Sequence, residues 1–360
     1  MILAKNYGYN VFLCTEEDSY LARISSKVDI EIIPYKEHFI NRFSNFHKYF
    51  SLSKIQKKIK FDIVHCFDFR HLFAISFQLK TENLTALVVT QDHTIDKPLQ
   101  RFWYRPLISR IDSLVLINKN LKNDALGNLG LPNKKIDYFG MGIKNEQPLA
   151  QVEQQINFDL YKNYFLAATN ISITNDEKTS LIPLLTALKV LNEKMPGGKK
   201  SKLIFVSAVE FQKLEFLPEL MKFIQDNQLE EDVLFVTAFE ISPILQHLDL
   251  WISICSEVLI EDFAISALLG EVPVILPRNF CSKNLLEEFE GVGETYKLYD
   301  SRELKDKWEK VILGSPVFKE KTRLYKYFIE REHSSKSYKT ALLSLYSRVV
   351  LRRARLFRKK

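Results

Sequence analysis

Residues 249–277, DLWISICSEVLIEDFAISALLGEVPVILP, decide the fold. An apolar strand over 250–254 runs into a Ser-Glu turn. A helix with an acidic start follows, and GEVPVILP then enters a second apolar strand. This layout sets a helix N-terminus and its loop at the C-terminal edge of a parallel sheet. Open α/β folds bind ligands at that edge, and backbone N–H groups there favour phosphate.

The alternation of apolar strand and helix continues outward in both directions. Toward the N-terminus, YNVFLCT, DIEIIPY, FDIVHCF, ALVVTQ, SLVLIN and KIDYFG read as short buried strands. A polar stretch without apolar periodicity, KNEQPLAQVEQQ, follows them and reads as a linker. Beyond it come YFLAAT, KLIFVSA, VLFVTAF, LDLWISIC and VPVILP, with the helix SLIPLLTALKVLNEK between the first two. Continuous apolar strands between helices indicate a parallel sheet covered on both faces. The expected fold is therefore α/β: two Rossmann-like doubly wound parallel-sheet domains facing across a cleft. Expected boundaries are an N-terminal domain over 1–145, a linker over 146–158, a C-terminal domain over 159–335, and a C-terminal helix and basic tail over 336–360.

A chain of 360 residues, 46% hydrophobic and 26% charged, has globular make-up and room for two domains, which excludes disorder as its main state. Cys14, Cys66, Cys255 and Cys281 are scattered without a CxxC pair, so they read as small buried residues in a reducing cytoplasm. No apolar run reaches the ~18–20 residues needed to cross a bilayer, and the N-terminus lacks the layout of a signal peptide. Of the net charge of +7, six positive charges lie in the last nine residues, RRARLFRKK, which leaves +1 for the rest. Such a tail is either a solvated end or a contact for an anionic membrane. No zinc-ligand spacing or RNA- or DNA-binding module supports nucleic acid as a partner. Phe39, Phe43, Phe46 and Phe50 form one helical stripe beside Arg42, His47 and Lys48, a face that packs on its own domain or lies among lipid headgroups. Candidate membrane contacts are thus Arg42, Phe43, Lys48, Arg352 and Arg353, at the cytoplasmic face.

The order and wording of these segments resemble the GT-B glycosyltransferases, in particular the family 4 (group 1) type. In the first half, FDIVHCFD resembles the family's Asp-x-x-His strand and VVTQDH its strand ending in histidine. IDSLVLINKNLKNDAL resembles its Ala-Asp strand and helix, and KIDYFGMGI its closing turn. In the second half, LEEDVLFVTAFE and ILQHLDLWISICSE resemble two further strands, ALLGEVPVILP the Ala-Met-Ala-x-Gly-x-Pro-Val-Val segment, and TALLSLYSRVV the C-terminal helix. The resemblance implies transfer of a sugar from a nucleotide-diphosphate donor with retention of configuration, without a metal or other cofactor. It also implies a second domain that grips nucleotide and a first that presents acceptor. The acceptor reads as a cell-envelope glycan or lipid-linked glycan.

Departures from the family pattern are specific. Counting back from Pro273, the family's two donor-site glutamates fall at Ser266 and Val258, with Glu257, Glu261 and Asp262 nearby. A shifted carboxylate points elsewhere, because each residue turns a helix by about 100°. Where the family has Gly-Arg before Lys-Gly, AATNISITNDEKTS keeps Lys178. The first strand and its glycine-rich loop are missing before MILAKNYGYNVFLCT, which reads as a start assigned too late, a truncated chain, or a loss in a noncatalytic homologue. On the family resemblance, His93 is the candidate catalytic residue, against a cleft-edge histidine without chemistry. Lys178, Glu257, Asp262 and Ser266 are candidate donor contacts, against a solvated lysine and helix-start polar groups. His65 is a candidate on the acceptor side, against a structural histidine. Two alternatives stay open: a catalytically inactive homologue that acts as partner or scaffold of an active glycosyltransferase, and another two-domain sugar-nucleotide enzyme such as an epimerase.

Overall fold

The computed structural model describes residues 8–15, 25, 29–34, 59–67, 85–91, 105–117, 121–140, 142, 156–171, 178–194, 199–207, 210–237, 241–254 and 259–357. The chain divides into two units, Met1–Phe139 with Lys339–Lys360, and Gly140–Tyr338.

In the first unit, β1 (Phe12–Thr15) pairs in parallel with β2 (Glu31–Pro34). A second parallel sheet runs in chain order through β3 (Ile63–Cys66), β4 (Ala86–Gln91), β5 (Ser113–Leu116) and β6 (Ile136–Tyr138). Between these strands lie helices α1 (Arg105–Ser109) and α2 (Leu121–Gly127). β4, apolar from Ala86 to Val89 and ending in Thr90 and Gln91, is buried along its whole length. Its Leu87 and Val89 enter a core with Ile108, Leu114 and Leu121, the burial expected of an inner strand of a parallel sheet.

The second unit holds a single six-stranded parallel sheet built from β7 (Phe165–Ile171), β8 (Ser201–Ser207), β9 (Val233–Thr237), β10 (Leu250–Ile252), β11 (Val274–Pro277) and β12 (Gly293–Tyr296). Its described helices are α3 (Lys178–Lys194), α4 (Leu217–Asp226), α5 (Ser242–Leu245), α6 (Leu259–Leu269), α7 (Phe280–Glu288), α8 (Ser301–Leu313) and α9 (Ser315–His333). Alternate strand residues feed two apolar layers, as a period of two requires. Leu203, Phe205, Leu250 and Ile252 meet α3, α4 and α8 on one face, where Trp308 is fully buried. Ile204, Val206 and Trp251 meet α5, α6 and α7 on the other. Helix starts follow local chemistry: Asp300 caps α8 by accepting from the Glu303 N–H, and Asn279 and Ser282 form a capping box on α7.

The last helix, α10 (Ser335–Phe357), starts where the Ser334 hydroxyl accepts from the Ser337 N–H at 3.2 Å, and from Lys339 onward it belongs to the first unit. The segment over 336–360, expected as a C-terminal helix and basic tail, is helical as far as Phe357 and is divided between the two units at Lys339. Ile156 and Phe158, placed in the expected linker, are buried in the second unit's apolar layer, because two large apolar side chains find cover there. All eleven strands read from the sequence are present; β12 is the addition.

Candidate functional site

The second unit's strands stand in the order β9-β8-β7-β10-β11-β12. Winding reverses between β7 and β10, so a crevice opens at their C-terminal ends, the place where doubly wound sheets take ligands. Leu250 pairs with Ala167 and Trp251 with Ala168, which sets Ser253 level with Asn170 at that edge. Thr169 is fully buried and Ser253 is 2% exposed. The Ser253 carbonyl accepts from the Tyr296 hydroxyl at 2.9 Å, whereas its own hydroxyl has no hydrogen-bond partner among the described residues. A buried hydroxyl in that state costs about 1–3 kcal/mol, which a ligand or water at the crevice would relieve.

Two helices begin above this edge, one after each strand. The first turn of α3 begins with Lys178 and carries no acid, while Asp176 and Glu177, which directly precede it in the sequence, lie outside the described residues. The first turn of α6 carries Glu261 and Asp262. Helix N-termini at such an edge offer N–H groups to a phosphate. Asp262 and Ser266 are the fourth and eighth residues of α6 and share a face, with Ser266 half-buried. The structure thus brings Lys178, Asp262 and Ser266 to helices that start at one sheet edge. The side chains of Lys178 and Asp262, and His93, Glu257, Arg42, Phe43 and Lys48 entirely, lie outside the described residues; His93 follows the end of β4 by two positions.

His65, the acceptor-side candidate, is occupied by the fold. Its Nδ1 lies 2.7 Å from the Tyr346 hydroxyl and its Nε2 2.7 Å from the Thr90 hydroxyl, while Phe67 stacks on the ring at 4.3 Å. Burial lowers its pKa from 6.5 to about 3, so the ring is neutral, with one nitrogen donating and the other accepting. A neutral ring with both nitrogens engaged positions Tyr346 rather than moving a proton.

Arg352 and Arg353, read as membrane contacts, have partners within the first unit. Arg353 donates to Asp112 Oδ2 from Nε at 2.9 Å and Nη2 at 2.7 Å, and Arg352 donates to the carbonyls of Asp112 at 3.3 Å and Lys134 at 3.4 Å. Asp112 is buried, so its carboxylate holds the Arg353 guanidinium as a partner within the unit. Sequence reasoning did not single out Asp112, Asp249 or Ser253. A usable signal for the first two was an aspartate one position before an apolar strand in each half, in IDSLVL and LDLWIS.

The family model for Glycosyltransferase Family 4 matches residues 3–147. No curated protein is similar to the chain in sequence. Among solved structures, the chain is similar to a glycosyltransferase from Rickettsia africae, with TM-score 0.76 and 16% identity over 97% of this chain and 93% of that one. It is also similar to HepE from Anabaena, determined in complex with UDP and glucose, with TM-score 0.73 and 15% identity over 96% and 94%. A third similar structure is sucrose-phosphate synthase from Thermosynechococcus elongatus, with TM-score 0.70 and 12% identity over 96% and 90%.

Proposed function

We infer, for a chain that has the GT-B glycosyltransferase fold and matches glycosyltransferase family 4 over residues 3–147, that it transfers a sugar from a nucleotide-diphosphate donor. The crevice between β7 and β10 carries this reading, with the start of α3 and Lys178 on one side and the α6 start on the other. When the bond between the anomeric carbon and the diphosphate oxygen breaks, the leaving group gains negative charge. Lys178 and the first N–H groups of α3 meet that charge, so the positive charge comes from the protein itself. Asp262, Glu257 and Ser266 serve the donor's hydroxyls, and His93 contacts the donor sugar. The likeness to HepE, solved with UDP-glucose, supports the donor class. Transfer with retention to a cell-envelope or lipid-linked glycan completes the reading, with Arg42, Phe43 and Lys48 touching the cytoplasmic membrane face. No described helix is long and apolar enough to cross a membrane.

A second reading, a silent homologue partnering an active transferase, is favoured by Ser266 and Val258 standing where the family has glutamates. Calorimetric titration with nucleoside diphosphates, alongside release of UDP from UDP-sugars, separates the two. The expected result is binding at about 1 mM or tighter, weakened roughly tenfold by Lys178→Ala, as for loss of a charge-assisted hydrogen bond. Binding without turnover leaves the silent homologue, and no binding at that concentration ends the donor-site reading.

A further inference from the structure

We propose that the ring of Phe67 is a stacking platform for the acceptor, which it takes by the C–H face of a pyranose ring. Phe67 directly follows Cys66, the buried last residue of β3, yet it is 51% exposed. It lies one step past the Cys66–Val89 pair, at the C-terminal edge of the first unit's four-stranded sheet. His65 and Phe67, two positions apart, share one face of the chain. Their rings stack with centroids 4.3 Å apart and planes 18° from parallel, so His65 covers one side of the Phe67 ring. His65 itself is fixed: the Tyr346 and Thr90 hydroxyls each hold one ring nitrogen at 2.7 Å, and the Tyr346 ring stands edge-on to it at 5.8 Å. The exposed ring therefore rests on a clamped one and loses little further freedom when a ligand settles on it.

Position and chemistry together indicate the occupant. The C-terminal edge of a parallel sheet is where doubly wound folds take ligands, and the match to glycosyltransferase family 4 over residues 3–147 covers this edge. The sugar class rests on the transferase reading. A pyranose is polar around its rim, where the hydroxyls lie, and apolar on a face that presents axial C–H bonds. The negative face of an aromatic ring attracts such C–H bonds. One ring matches one sugar ring, whereas a docked protein calls for a contiguous apolar patch of roughly a few hundred Å². His65 then serves the acceptor at one remove, by holding Phe67 flat.

Saturation-transfer NMR on the full chain tests this, with irradiation of the protein's aromatic protons and methyl β-D-glucopyranoside or methyl β-D-galactopyranoside as probe at about 100 mM. The axial ring protons of the bound glycoside should receive the most saturation, and glycerol, which has no ring face, should receive none. Phe67→Ala should cut the transfer about fivefold, as for loss of one stacked ring, and Phe67→Trp should restore it. Circular dichroism shows whether each variant is folded. No transfer to either glycoside in the wild type, or transfer that Phe67→Ala leaves unchanged, overturns the platform. Calorimetric titration of the same wild-type sample with UDP keeps the two readings apart: failure of UDP to bind, with the glycoside pattern intact, ends the donor reading and not the platform.

Discussion

Both units close their sheets with the same aspartate device, yet they depend on it differently. In the first, the Asp112 N–H donates to the Leu87 carbonyl at 2.9 Å and its carboxylate accepts the Leu87 N–H at 2.9 Å. In the second, the Asp249 N–H donates to the Leu166 carbonyl at 2.8 Å and its carboxylate accepts the Leu166 N–H at 3.0 Å. Each carboxylate also meets a cation from a late helix, Arg353 of α10 or Lys319 of α9. The second unit has β7 at its centre, which joins the two halves of one sheet. In the first unit the described strands form two sheets, β1-β2 and β3-β4-β5-β6, and side chains of α10 reach both parts. Tyr346 meets Tyr9, just before β1, at 6.1 Å between ring centroids, and His65 of β3; Arg348 meets Asp137 of β6. A continuous backbone ladder joins the second unit's strands, while among the described residues of the first unit side chains of α10 touch both sheets.

Removing each aspartate is the strongest way to break this comparison. Asp112→Ala takes away a buried partner of Leu87 and leaves the Arg353 guanidinium, 27% exposed, without its carboxylate; the expected loss is about 3–5 kcal/mol. Asp249→Ala acts on a pair exposed by 26% and 44%, and should cost only about 1–2 kcal/mol. Urea unfolding read by hydrogen exchange at β4 and β7 measures each loss in its own unit. Equal losses would mean that α10 does not hold the first unit together.

Acidity probes the same clamp more gently. Because burial holds the folded His65 pKa near 3 against an ordinary 6.5, the unfolded chain binds the extra proton between these values. Stability is therefore complete above about pH 6.5 and is lost as pH falls toward 3. His65→Gln gives up ring contacts at neutral pH but removes this acid sensitivity. Its deficit against the wild type should shrink by about 1–2 kcal/mol between about pH 7.5 and pH 5, read from urea midpoints. A constant deficit would place the His65 ring in open solvent.

The strands that build both sheets were legible because burial on two faces writes long apolar runs; β4 was read to the residue, from Ala86 to Gln91. β12 was not legible, since GETY has no such run. Its Glu294 is held by Lys307 and Lys310 of α8, and its Gly293 lies so near β11 that a Cβ would meet the Val274 carbonyl at 2.2 Å. Those causes lie outside the strand itself. For the site, the helix start that follows β10 at the sheet's C-terminal edge was readable from pattern; the strand order that sets β10 beside β7 was not. The partners of His65, Arg352 and Arg353 were not, because the partner of His65 stands 281 residues away and Asp112, which meets both arginines, about 240. A charge pattern tells how many cations a segment has, and only the fold tells which are already paired.

The smallest expected effect tests the second unit's sheet edge rather than its latch. After α6, the Glu271 N–H donates to the Leu268 carbonyl and the Val272 N–H to the Ala267 carbonyl, a Schellman ending whose left-handed position is Glu271 at φ 63°. The preceding Gly270 does not relieve this, because it serves a close approach: a Cβ there would come within 2.9 Å of Leu245. A side chain in the left-handed region costs about 1 kcal/mol. Against that, Glu271→Gly loses the ion pair with Lys326, whose two side chains are 37% and 42% exposed, a pair worth a few tenths of a kcal/mol at most after solvent screening. The Thr322 bond to the Glu271 carbonyl survives, since it uses only backbone. Glu271→Gly should therefore raise the second unit's stability by roughly 0.5 kcal/mol and leave the first unit's transition unmoved, as read by the same exchange experiment. A fall instead would show that the Lys326 pair holds α9 to this turn more firmly than its exposure allows.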